Sequence, residues 1–207
     1  MRVHIAAACG FCYGVRRAVE LAAQAEAGTH TLGPIIHNPQ LVDSLSEKGV
    51  TPVNSLGEVA DGSKLLIRSH GVGPDVYDEA EKRCLHIVDA TCPHVKKAQQ
   101  DARKVINAKK VLVIIGEKDH PEVISISQWG GNRAIIIDKV EEAEEIPYCE
   151  TMGVVVQTTF SQSRFKQIES VLAGKTGHLD VYMTICAATR QRQEAAVELA
   201  GKVDAMI

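Results

Sequence analysis

Residues 85–107, LHIVDATCPHVKKAQQDARKVIN, decide how this chain is read. A short β-rich run ends at Thr91-Cys92-Pro93, and a helical pattern follows at once. Proline suits the first helical position because it has no N–H to leave unpaired, so strand gives way to helix at the thiol itself. Outward from this junction the alternation repeats. On the N-terminal side RVHIAAA, TLGPII and KLLIRS alternate with VRRAVELAAQAEA, NPQLVDSLSEKG and DVYDEAEKR. On the C-terminal side KVLVIIG, RAIIID, MGVVVQTT and HLDVYMT alternate with PEVISISQWG, VEEAEEI and SRFKQIESVLAG. Such a sequence predicts an α/β fold with mostly parallel sheets.

Two more cysteines stand at the same kind of junction. RVHIAAA leads to Gly10-Phe11-Cys12 and VYMT to Ile185-Cys186-Ala187, each with a helical pattern next. The three thiols lie about one small α/β unit apart, which predicts a pseudo-threefold arrangement of small α/β domains. The expected boundaries are 13–92 for the first domain, 93–184 for the second, and 185–207, together with 1–12, for the third. VDAMI at the end reads as a strand. A parallel strand without its covering helix leaves half its surface bare, so the third domain reads as incomplete.

A thiol at a helix N-terminus ionises readily, because unpaired backbone N–H groups and the positive end of the helix dipole favour the thiolate. Gly10 and Gly14 flank Cys12 and permit a tight turn and close backbone approach. Three converging thiolates fit a metal centre with one coordination position open. Spacing alone leaves zinc, a 4Fe-4S cluster and three buried thiols all standing. Cys9 and Cys12 also form a C-x-x-C, the spacing of a dithiol redox pair, although Cys9 falls within a strand-like run and reads as a small buried residue. Cys84 and Cys149 carry no motif and read the same way.

Composition narrows the function classes. The chain has 207 residues, 45% of them hydrophobic and 24% charged, with a formal net charge of −3. Interspersed charges of both signs give no reason to expect nucleic acid or an anionic membrane as partner. No apolar run is long enough for a membrane span, and MRVHIAAACGFC lacks the features of a signal peptide, so a cytoplasmic location is expected. Six cysteines in a reducing compartment point to metal or thiol chemistry rather than disulfides.

His37 in GPIIHNP, His70 in LLIRSHGVG and His120 in VLVIIGEKDHPEV all lie where a strand gives way to a loop or helix. Ligands of open α/β sheets bind outside the carboxyl ends of the strands, so these residues point to the side that carries the cysteines. With helix N-termini they could bind a phosphate or diphosphate without a large net positive charge. Glu122 follows His120 in HPE, where a first-turn glutamate is also expected for the helix dipole alone. Thr158, at the end of the strand MGVVVQTT, could hydrogen-bond to a ligand or to the acid. His4, His30, His86, His94 and His178 read as ordinary surface or core residues. GVGP after His70 has too few glycines for a dinucleotide fingerprint.

Taken together these strings resemble one family. GFCYGVRRA (10–18), HNPQLVDSL (37–45), RSHGV (68–72), DATCP (89–93), HPEV (120–123), QTT (157–159), ICAAT (185–189) and RQEA (192–195) are similar, in order, to the 4-hydroxy-3-methylbut-2-enyl diphosphate reductase family, IspH or LytB. The resemblance implies a three-lobed fold around a 4Fe-4S cluster held by Cys12, Cys92 and Cys186 with one iron open. It implies reductive removal of the allylic hydroxyl to give isopentenyl and dimethylallyl diphosphate, the last step of the non-mevalonate pathway. His37, His70 and His120 would then surround the diphosphate, Glu122 would deliver protons, and Thr158 would position the substrate hydroxyl or relay a proton to it. The electron donor would be a ferredoxin or flavodoxin. Family members continue past residue 207 with a serine/asparagine loop and a later serine that grip the diphosphate. A non-catalytic zinc or iron–sulfur module, fastening domains together, is the alternative from another class.

Overall fold

The computed structural model describes residues 2–207. In chain order the elements are α1 (Tyr13–Ala23), β1 (Thr29–Leu32), α2 (Pro39–Glu47), β2 (Val50–Val53), β3 (Lys64–Ile67), α3 (Pro74–Lys82), β4 (His86–Asp89), α4 (Pro93–Asn107), β5 (Val111–Ile115), α5 (Pro121–Trp129), β6 (Ile135–Ile137), α6 (Val140–Glu144), β7 (Cys149–Val156), α7 (Gln162–Ala173), β8 (Thr176–Tyr182) and α8 (Ala187–Ala200). Four helices, α2 to α5, open on proline. The ring presets φ where no intrahelical N–H bond is due. The side chains of Asn38 and Ser161 accept the free backbone N–H groups of Leu41 and Arg164 and so start α2 and α7.

The strands form two four-stranded sheets, β2-β1-β3-β4 and β6-β5-β7-β8. Every pairing between them is parallel. In the second sheet the inner strands β5 and β7 are buried over residues 112–115 and 152–156, because helices cover both faces there. Val113 and Ile115 pack with Phe165, Ile168 and Leu172 of α7. Their alternate neighbours Leu112 and Ile114 pack with Ala98, Ala102 and Val105 of α4 and Val123 and Ile126 of α5. The first sheet repeats the scheme on a smaller scale, with Leu66 against Ala18 and Ala22 of α1 and Leu45 of α2, and Leu65 against Ala80 of α3.

A seam joins the two units. The Trp129 indole N–H donates to the carbonyl of Val72 at 2.9 Å across it, and on the second unit's side the buried Gln99 amide of α4 donates to the Ser125 hydroxyl of α5 at 2.6 Å, where Gly71 of the first unit meets them. Gly71 holds φ +72 there, and any side chain on it would collide with Gln99. Only glycine takes that backbone conformation without strain and leaves the room.

Three details differ from the sequence reading. RVHIAAA is not a strand: residues 2–6 pair with nothing among the described residues, and Val3 and Ile5 are 78% and 79% exposed. VDAMI likewise runs as exposed coil after α8 rather than as a strand. Strand propensity is realised only against a partner, and neither segment has one here. Conversely β2 escaped notice, because Pro52 interrupts it; as the edge strand it tolerates a residue without an N–H.

The core makes a direct prediction. Phe165 is 1% exposed within the apolar cluster over β5 and β7, so Phe165→Ala should cost about 3–5 kcal/mol. Denaturant titration should show the lower midpoint with an unchanged slope; an unaltered midpoint would mean that α7 is not packed as described.

Candidate functional site

Each of the three junction cysteines is the N-cap residue of a helix, Cys12 of α1, Cys92 of α4 and Cys186 of α8, and none of these helices has an acidic residue in its first turn. The thiol of Cys186 accepts the Thr189 backbone N–H at 3.3 Å. Burial pushes the Cys92 thiol above its ordinary value, the nearby amides of His94 and Val95 pull it back, and the proximity of Cys12 and Cys186 adds to the rise. Gly14 explains how Cys12 approaches Cys92. A Cβ on Gly14 would stand 2.6 Å from the Cys92 sulfur, so only glycine leaves that space to the thiol.

Two arginines that sequence reasoning passed over clamp these junctions. Arg17 of α1 donates to the carbonyls of Asp89 (3.1 Å) and Thr91 (3.3 Å), just before Cys92. Arg192 of α8 donates to the carbonyl of Gly10 (2.9 Å), just before Cys12. Both lie inside strings that carried the resemblance, but a side chain bound to a backbone carbonyl leaves no pattern of its own in the sequence.

Glu122 and Thr158 meet. Glu122 sits in the first turn of α5 and is 2% exposed. Its carboxylate accepts the Thr158 backbone N–H at 2.6 Å and the Thr158 hydroxyl at 2.8 Å. The Thr158 carbonyl in turn accepts the backbone N–H of Cys186 at 3.0 Å. A continuous hydrogen-bonded path thus runs from the acid to a thiol-bearing helix. Burial raises the Glu122 carboxyl above its ordinary value, and the two bonds from Thr158 only partly offset this.

The loops after β1, β3 and β5 bring His37, His70 and His120 together, with ring centroids 4.7, 5.3 and 6.0 Å apart. One nitrogen from each lies within 4.8 Å of the others, close enough to share an ion. His120 decides which kind. Its Nδ1 accepts the backbone N–H of Glu122 at 3.1 Å, and since that N–H can only donate, the neutral ring must carry its proton on Nε2. A ring held so offers a donor rather than a lone pair, which suits an anion better than a metal. Burial drives the His70 ring down to about 3, helped by His37, His120 and Arg68. Burial lowers His120 as well, against a pull from Glu117.

The three sulfurs, by contrast, form no such tight group among the described residues. One zinc ion would draw them to within about 3.8 Å of each other, given Zn–S bonds of about 2.3 Å. The wider setting and an all-thiolate donor set fit a multi-iron cluster. Cys9 is exposed, and so is Cys84, which takes the left-handed φ of 54° after α3, so neither is the buried residue expected. Cys149 does pack against the second core. No helix of the described residues is long and apolar enough to cross a membrane.

Comparison with known proteins extends over the same residues. A family profile described as LytB protein matches residues 3–207. A 4-hydroxy-3-methylbut-2-enyl diphosphate reductase of Caldanaerobacter subterraneus subsp. tengcongensis is 42% identical over 213 residues, covering 100% of this chain and 74% of its own length. One from Pelobacter propionicus is 43% identical over 210 residues, covering 100% and 75%. Among solved structures, the E-1-hydroxy-2-methyl-but-2-enyl-4-diphosphate reductase of Plasmodium falciparum matches with a TM-score of 0.88 at 28% identity, covering 94% of this chain and 64% of that one. An (E)-4-hydroxy-3-methyl-but-2-enyl diphosphate reductase described as the terminal enzyme of the non-mevalonate pathway matches with a TM-score of 0.79 at 37% identity, covering 98% and 74%.

The raised carboxyl of Glu122 has a consequence for stability. A group easier to protonate when folded stabilises most below its unfolded value, and that contribution is lost as pH rises through the folded one. Glu122→Gln keeps the shape without the charge, so its stability relative to wild type should improve as pH is raised above the ordinary carboxyl range and level off above the folded value. Denaturant curves across that range test this; a gap independent of pH would show that Glu122 is not held in a desolvated place.

Proposed function

The chain belongs to the LytB family of 4-hydroxy-3-methylbut-2-enyl diphosphate reductases, and from that membership we propose that the convergent face described above carries out the reductive dehydroxylation of this substrate, with Cys12, Cys92 and Cys186 holding a 4Fe-4S cluster. The observation that carries the reading is the path Glu122–Thr158–Cys186, a buried acid connected through one threonine to a thiol-bearing helix beside three imidazoles.

The overall change converts R–OH, two electrons and two protons into R–H and water, giving isopentenyl or dimethylallyl diphosphate. The cluster would supply the electrons and an open iron for the hydroxyl oxygen. Neither a flavin nor a nicotinamide motif stands in the sequence, so the electrons would come from outside, from a ferredoxin- or flavodoxin-type carrier. Everything else falls to the chain's own residues. Departing hydroxide is strongly basic, and protonation turns it into water. Glu122 suits that task because burial favours its protonated form. Thr158 can accept the proton of Glu122 while its own hydroxyl donates to the substrate oxygen, so it serves as relay and positioner at once. His37, His70 and His120 would hold the diphosphate through ring N–H donors, His120 through Nε2.

Cys12→Ser, Cys92→Ser and Cys186→Ser should each lose most bound iron, whereas Cys9→Ser, Cys84→Ser and Cys149→Ser should not, because an alcohol is a poor substitute for thiolate only where iron is held. Iron and sulfide analysis after anaerobic purification decides it. Equal retention in all six variants would sink the ligand assignment, and stoichiometric zinc in a colourless protein would favour the structural module.

Glu122→Gln should retain cluster and substrate binding yet lose turnover by about 100-fold or more. Wild-type turnover at wild-type iron content would reduce Glu122 to an ordinary first-turn residue.

A further inference from the structure

Arg68 has no role in the mechanism above, and its setting calls for one. It follows β3, two residues before His70, and its Nε is buried without a hydrogen-bond partner. None of the ion pairs among the described residues includes it. Its place is nonetheless prepared: Gly33, at φ +71, passes so close that a Cβ would stand 2.6 Å from the guanidinium Nη1. His70 repeats the anomaly next door, with a buried Nδ1 that also has no partner. Buried polar groups are rarely left unpaired, and two neighbours left so mark the place of an absent partner.

The charge inventory shows what that partner is. From the loop after β1 comes His37, from the end of β3 Arg68 and His70, from the loop before α5 Glu117, Lys118, Asp119 and His120, from the first turn of α5 Glu122, and from α3 Asp75 and Glu79, which line the cavity beside Arg68. Glu122 is committed to Thr158, and Glu117 is exposed and acts on His120 alone. No carboxylate among the described residues forms an ion pair with Arg68 or with these imidazoles, so three rings and a guanidinium meet without a bound counter-ion. A guanidinium stays charged in such a place; imidazoles do not. Charging a ring beside two others and a fixed cation in a poorly solvated place is unfavourable until negative charge arrives.

Building on the diphosphate reading of this site, we propose that Arg68 supplies its fixed positive charge and that His70, whose Nδ1 is free to take a proton, acquires its own only as the anion enters, so that binding and proton uptake are one event. The depressed basicity of His70 in the free protein agrees with this, whereas Nδ1 of His120 is already engaged by the Glu122 N–H. A polyanion within about 4–6 Å raises a neighbouring basic group by about 1–3 pK units, enough to carry His70 from about 3 to about 4–6. Proton uptake on binding requires, by linkage, that affinity rise as pH falls, about tenfold per pH unit for one whole proton.

Titration calorimetry of inorganic diphosphate into the protein, purified without oxygen, tests this at about pH 5, between the free and bound values of His70. Comparing buffers of low and high ionisation enthalpy gives the protons taken up per anion. The wild type should take up about half a proton more than His70→Asn, a comparison in which the diphosphate's own ionisation cancels. Arg68→Met should weaken binding about tenfold or more, and Arg68→Lys should restore part of it, since a lysine keeps the charge but not the fork. Equal uptake in wild type and His70→Asn, or an affinity ratio of wild type to variant that does not rise as pH falls, would overturn the proton coupling. Equal affinity of Arg68→Met and wild type would overturn the fixed charge. Failure of every form to bind diphosphate would instead refute the reading of the site from which this inference starts.

Discussion

Parallel strand pairing is the constraint on which the rest depends. Because every pairing in both sheets is parallel, the carboxyl ends of each sheet's strands share one edge, and the loops that leave those edges must meet if the edges are set against each other. The seam does that. His37 follows β1, His70 follows β3, Cys92 follows β4, His120 and Glu122 follow β5, Thr158 follows β7 and Cys186 follows β8. No long excursion of chain is needed to gather them. An antiparallel strand would have sent its following loop to the far side, so strand direction delivers the chemistry before any side chain is chosen.

That logic made much of the fold legible in sequence. LHIVDATCP and KVLVIIG are unambiguous because a run of β-branched residues ends at a turn signal and a helical period begins at once. Proline at the first helical position marked the start of α4 at Pro93, and Pro121 opens α5 in the same way. The same reasoning erred where a strand depends on its neighbours. RVHIAAA and VDAMI have the composition of strands and no partner, whereas Val50–Val53 has a partner and a proline that disguises it.

At the site, the grouping of the three histidines follows from topology, and the pairing of Thr158 with Glu122 was foreseeable once both were placed at strand ends. The arginine clamps were not. Arg17 and Arg192 bind backbone carbonyls, which every residue has, so nothing in the target's identity betrays them. Nor could sequence show that His120 caps α5 through Nδ1, the contact that turns its other nitrogen into a donor. Arg68 looked like one charge among many; only its burial without a counter-ion sets it apart.

Trp129, the one tryptophan in the chain, donates to Val72 across the seam, lies edge-on to Tyr77, and has the guanidinium of Arg103 5.9 Å from its ring centre. Its indole thus rests on both units at once. Indole emission depends on the polarity around the ring and on the charges nearby, so the colour of this protein's ultraviolet fluorescence is tied to a single structural event, the docking of one sheet's edge on the other. The molecule carries its own optical gauge of whether the two halves of its site are in register.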